Sequence, residues 1–133
     1  MTSRALVVLI GAVTVLAPVA PARADGPRQV TYTVITDHPV TADIYYREVD
    51  PPTWADYSHN PYLYSPKARV DIGPDRPWVR TVALTDPQRW AMVSATSGRE
   101  PVEPGFRCQL TVDGVIVGTG DGPKGALCSI RHW

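Results

Sequence analysis

Apolar side chains recur at every second position in short runs along this chain, and prolines and glycines cut the runs apart before a helical period is established. Such alternation is the pattern of strands with one buried face. Residues 29–36 place Val30, Tyr32 and Val34 on one face, with Thr31, Thr33 and Ile35 on the other. Residues 40–48 repeat the pattern, with Val40, Ala42, Ile44 and Tyr46 inward and Thr41, Asp43, Tyr45 and Arg47 toward water. Asp37-His38-Pro39 between them is short enough for a hairpin loop. Strand-like segments continue at 68–72, 78–84, 89–96, 106–112, 115–119 and 126–132. In the second of these Trp78, Val82 and Leu84 compete with Val79 and Ala83 for the buried face. Phe106, Cys108, Leu110 and Val112 share a face, Asp113-Gly114 reads as a two-residue type I′ turn, and Ala126, Cys128 and Ile130 line the last strand. About seven short strands, without a convincing amphipathic helix, predict an all-β chain folded as a β-sandwich or small barrel.

The N-terminus reads as an address. After Arg4, residues 5–17 form an apolar run of 13, followed by Pro18, Pro21 and the small-x-small sequence Ala22-Arg23-Ala24. A membrane-spanning helix needs about 20 apolar residues, so the expectation is a secretory signal at 1–24, cut after Ala24. The other reading is an uncleaved short anchor. Under both, the single domain at 25–133, 133 − 24 = 109 residues, lies outside the cytoplasm, secreted or in the cell envelope. Two cysteines in an oxidising compartment predict one structural disulfide, Cys108 with Cys128, and closing a loop of that size is worth roughly 3 kcal/mol. Without Arg4 and Arg23, the 13 basic residues become 11 against 13 acidic, a net charge of −2. That balance argues against nucleic acid as a partner, since phosphate binding rests on clustered basic groups.

Catalytic chemistry is hard to place. His38 sits in a presumed loop and His132 near the C-terminus, while His59 near Asp56 and Ser58 lies on a proline-broken stretch that fixes no common face. Glu48 with Asp50, or Glu100 with Glu103, could be paired by folding as a glycosidase requires, but scattered surface acids are common. Gly118-Thr119-Gly120-Asp121-Gly122 joins two strands and reads as a turn, not a phosphate-cradling loop. A small hydrolase built on His59 or paired acids therefore ranks last. The expectation is a non-enzyme without metal or cofactor.

The stretch 49–67 stands apart. Pro51, Pro52, Pro61 and Pro66 exclude a regular helix or a central strand there, yet it carries Trp54, Tyr57, Tyr62 and Tyr64. Two readings compete: a mini-core covering one end of the sandwich, or a binding surface for protein, glycan or lipid. Trp78, Trp90 and Trp133 read as core or core-margin residues.

Val30-Thr31-Tyr32-Thr33-Val34, Ala42-Asp43-Ile44-Tyr45-Tyr46, Pro77-Trp78 and the stretch from Ala91 to Ala95 stand in one order along the chain. With Cys108-Gln109-Leu110-Thr111-Val112-Asp113-Gly114-Val115 and Ala126-Leu127-Cys128, they resemble the small MmpS proteins of mycobacteria. The resemblance implies an immunoglobulin-like β-sandwich with a Cys108–Cys128 disulfide. It further implies a periplasmic accessory of MmpL-type transporters, with lipidic or siderophore cargo and no catalytic residues. Membrane contact would then come through the partner or an uncleaved signal. The chain departs from that family in its cleavable N-terminus and in the inserted aromatic stretch 51–66, which suggests a ligand of its own and a freely secreted binding module as the alternative.

Overall fold

The computed structural model describes residues 10–14, 26–99 and 101–132. Most of the expected signal, including Ala22-Arg23-Ala24, lies outside these residues, as do Glu100 and Trp133. Among the described residues no helix is long and apolar enough to cross a membrane. Eight strands are described: β1 (Arg28–Thr36), β2 (Val40–Tyr46), β3 (Lys67–Ile72), β4 (Trp78–Leu84), β5 (Met92–Thr96), β6 (Phe106–Val112), β7 (Val115–Gly122) and β8 (Gly125–Ser129). They form two four-stranded antiparallel sheets in the orders β4-β1-β6-β7 and β3-β2-β5-β8. The chain is a β-sandwich, as its alternation predicts.

The alternating residues of β1, β2 and β6 supply the core, with Val30, Tyr32, Val34, Ala42, Ile44, Leu110 and Val112 all buried. Competition along β4 resolves in favour of Leu84, with Val82 and Trp78 packed against the core margin and Val79 exposed. The Trp78 ring lies 5.2 Å from that of Tyr46. Cys108 of β6 and Cys128 of β8 form the disulfide, which ties one sheet to the other.

Four local expectations are corrected. Asp37-His38-Pro39 is not a hairpin loop, because β1 and β2 belong to different sheets. The chain crosses at this corner, where the Asp37 and His38 N–H groups donate to the carbonyls of Pro104 and Gly105. The strand expected at 89–96 starts only at Met92. Before it, α2 (Pro87–Trp90) is capped by Asp86, and Pro87 opens the turn where no N–H is needed.

The glycine run 118–122 is not a turn either, but the continuation of β7. Gly118, Gly120 and Gly122 share one face, and β8 backbone lies against it. A Cβ on Gly120 would stand 2.4 Å from the Leu127 carbonyl oxygen, and one on Gly122 would stand 2.2 Å from that of Gly125. The glycines thus let the edges of the two sheets close on each other beside the disulfide.

The fourth correction concerns Arg47. Strand parity predicts it toward water, yet it is fully buried, because Tyr57, Ser65 and Trp90 close over it.

The two-residue hairpin expected at Asp113-Gly114 does form. Asp113 (φ 49°) and Gly114 (φ 80°) both take positive φ, as a type I′ turn requires. Asp113 also clamps the start of β1, accepting from Arg28 Nε at 2.9 Å and from the Gln29 N–H at 3.0 Å. The Arg28 guanidinium, aided by that N–H, holds the Asp113 carboxyl below the usual carboxylate range.

Candidate functional site

The aromatic stretch between β2 and β3 is ordered around a short helix. Its prolines flank the turns instead of interrupting them, which is why a helix excluded on composition nonetheless forms. α1 (Trp54–His59) begins after Pro51 and Pro52, and a 3₁₀ turn (Pro61–Leu63) carries Pro61 at its first position. Thr53 caps α1: its hydroxyl accepts from the Asp56 N–H at 3.1 Å and donates to the Asp56 carboxylate at 2.7 Å. Six residues supply little helical stability of their own, so the loop depends on what it packs against.

That support is Arg47. Its Nε donates to the Trp90 carbonyl at 3.0 Å and its Nη1 to the Ser65 hydroxyl. Its guanidinium lies 4.3 Å from the Tyr57 ring centroid and 5.8 Å from that of Trp90. Trp54 stacks on Trp90 at 6.1 Å with 20° between planes, and Tyr57 meets them at 5.4 and 5.5 Å. Arg131 covers the Trp54 ring at 4.4 Å, and Arg89 lies 5.2 Å from that of Trp90. Planar guanidiniums pair with aromatic faces in this way, and the attraction grows as water is excluded. Beneath, the Tyr32 hydroxyl donates to the Arg47 carbonyl at 2.8 Å, and burial pushes that hydroxyl far above the ordinary tyrosine range.

The four expected residues divide. Trp54 and Tyr57 join Trp90 around Arg47, and Tyr57 is half-buried. Tyr64 is half-buried too, its carbonyl accepting from the Glu48 N–H at 3.1 Å. Tyr62 stands away from this cluster, 71% exposed, its ring 6.0 Å from that of Tyr45. Beside it Leu63 is 65% exposed, and Trp54 is 40% exposed at the other end of the loop. Sequence reasoning missed Arg47 and Leu63. Only Leu63 carried a signal, an apolar residue between two tyrosines.

The loop's polar residues are engaged structurally. Asp56 is held by Thr53, Glu48 lies 3.4 Å from Arg80, and the Asp50 carboxylate accepts from the N–H groups of Thr85 and Asp86, both at 2.8 Å. Among the described residues no hydrogen bond joins the side chains of Ser58, His59 and Asp56, and no group of three His, Cys, Asp or Glu is placed to hold a metal ion.

These features define a single-disulfide β-sandwich domain with an arginine-anchored aromatic loop at one end. The model of the Rv2576c beta-sandwich domain matches residues 32–128, and the chain belongs to that family. It is 39% identical over 130 residues to the uncharacterized protein Rv2576c of Mycobacterium tuberculosis (strain H37Rv), covering 97% of this chain and 84% of the relative. The uncharacterized protein Mb2606c of Mycobacterium bovis matches at the same identity and coverage.

The resemblance to the MmpS proteins is thereby corrected. The matched span contains nearly all of the sequence that suggested it, including the Cys108–Gly114 and Ala126–Cys128 pieces. A cysteine on each of two facing strands and an Asp-Gly hairpin suit many β-sandwiches. They do not single out one family.

Proposed function

We propose that the chain is an exported, non-catalytic binding domain that engages a macromolecular partner through Trp54, Tyr62 and Leu63. The observation that carries this reading is the exposure of those three side chains on a loop held by a buried arginine. Large apolar groups on a pre-ordered support lose little conformational entropy on binding, which is the property of interface anchors. Export is supported by the apolar run at 5–17 with Ala22-Arg23-Ala24 after it, and by a disulfide, which persists in oxidising compartments. A transporter partner drew its support from the MmpS resemblance and loses it with that resemblance, so the partner is proposed only by its chemistry: an apolar groove able to take a Tyr-Leu tip.

The test is site-specific photocrosslinking in the native host, with the photoreactive residue at Leu63 and, as control, at Val79 on the far sheet. A defined adduct from position 63 alone, abolished by Trp54→Ala with Tyr62→Ala, is the expected result. Equal adducts from both positions, or none from 63, would overturn the proposal.

A further inference from the structure

At the opposite end of β2 from the aromatic loop, a cleft of about 530 Å³ is lined by Val40, Thr41, Asp43, Arg69, Ser97, Arg99 and their neighbours. Asp43 is among its lining residues and is only partly buried. Its Oδ1 is closed off from solvent without a hydrogen-bond partner, which leaves Oδ2 as the oxygen a ligand can reach. Arg69 lies directly opposite Asp43 in the β2–β3 register, yet among the described residues no ion pair joins Asp43 to Arg69 or Arg99. The loop bearing Arg99 is held in place. The Ser97 N–H and hydroxyl both donate to the Lys124 carbonyl, at 3.1 and 3.3 Å, and the Gly98 N–H donates to Thr96 Oγ1 at 3.0 Å.

This mixture of charges selects its ligand. An anion suited to the two guanidiniums would meet the Asp43 carboxylate, and a cation suited to Asp43 would meet two arginines. A hydroxyl escapes both conflicts, because it donates to a carboxylate and accepts from a guanidinium with the same oxygen. Adjacent hydroxyls can do both at once, while Val40 and the half-exposed Val102 offer apolar contact to a ring's C–H face. The volume lies within the range of small-molecule sites, about 300–1,000 Å³. We propose that this cleft binds a neutral saccharide, with Asp43 accepting from, and Arg69 and Arg99 donating to, its hydroxyl groups. The site is separate from the aromatic loop and stands or falls independently of the function proposed for it.

The experiment is a titration of the isotope-labelled exported protein, followed by amide NMR, with maltotriose, cellotriose, mannotriose and galactotriose to about 10 mM. Inorganic phosphate and methylammonium are titrated in parallel. At least one trisaccharide should shift the amides of Asp43, Ser97, Gly98 and Arg99 while leaving residues 54–64 unmoved. Asp43→Asn and Arg99→Ala should each weaken that binding about tenfold. Should Asp43→Asn fail to fold, Arg99→Ala on its exposed loop carries the test. Shifts at these amides from phosphate or methylammonium alone would overturn the proposal, as would silence from all four saccharides or undiminished binding by Arg99→Ala.

Discussion

Arg47 organises the aromatic end of the domain through its fork of donors, which reaches a carbonyl, a hydroxyl and two ring faces at once. Truncation to alanine would strand the Trp90 carbonyl and the Ser65 hydroxyl and leave a cavity under Tyr57. We expect Arg47→Ala to cost about 3 kcal/mol in urea unfolding. Arg47→Lys should recover little of it, because an ammonium can neither fork nor stack. A lysine variant as stable as the parent would contradict this account. Tyr32 gives a second test. Its hydroxyl titrates higher in the fold than in the unfolded chain because of burial, so its contribution is complete below the unfolded pKa of about 10 and is lost as pH rises beyond it, where the unfolded chain releases the proton first. Tyr32→Phe should flatten the alkaline fall in stability, at a cost of about 1 kcal/mol at neutral pH for the lost hydrogen bond to the Arg47 carbonyl.

Among the elements, β7 is the most sensitive to a small change. Gly120→Ala would drive a methyl group into the Leu127 carbonyl, whereas at Gly118 the nearest atom, the Ser129 carbonyl oxygen, is 3.4 Å away. We expect Gly120→Ala to destabilise by roughly 1–3 kcal/mol and Gly118→Ala by clearly less, as read from thermal unfolding of the pair. A reversed order would mean that β8 does not approach β7 as described. At α1, Thr53→Ala removes the cap and should cost about 1 kcal/mol, seen as faster hydrogen exchange over residues 54–60 with the core strands unchanged. These elements also mark where sequence reading ends. Alternation in β1, β2 and β6 was legible because a buried face imposes period two on every residue. The glycines of β7 were not, since a row of glycines reads as a turn until the strand facing it is known. The sheet change at Asp37-His38-Pro39 depends on the distant Pro104 and Gly105 carbonyls, and Arg47 escapes its strand's parity one residue past the strand's end. At the candidate site the aromatic content of the loop was legible, but not the division into Trp54, Tyr57 and Trp90 around an arginine and the outward pair Tyr62 and Leu63, because parity sends Arg47 toward water and Trp90 arrives from the distant α2.

For the whole molecule, the disulfide joins β6 to β8 and so one sheet to the other. Replacing both cysteines by alanine should lower stability by about 3 kcal/mol, a fall in Tm of about 10–20 °C for a domain of this size. A smaller change under reducing and oxidising conditions alike would show that the glycine seam holds the edge closed without it. The strand order has a consequence in time as well as in space. β1 lies between β4 and β6, so the first strand of the domain completes its hydrogen bonds only after residue 106 has arrived. The covalent link waits longer, until residue 128. A chain emerging from its N-terminus can therefore pair β1 with β4 first, but must hold the other edge of that strand open until β6 arrives, and the link between the two sheets closes only after both.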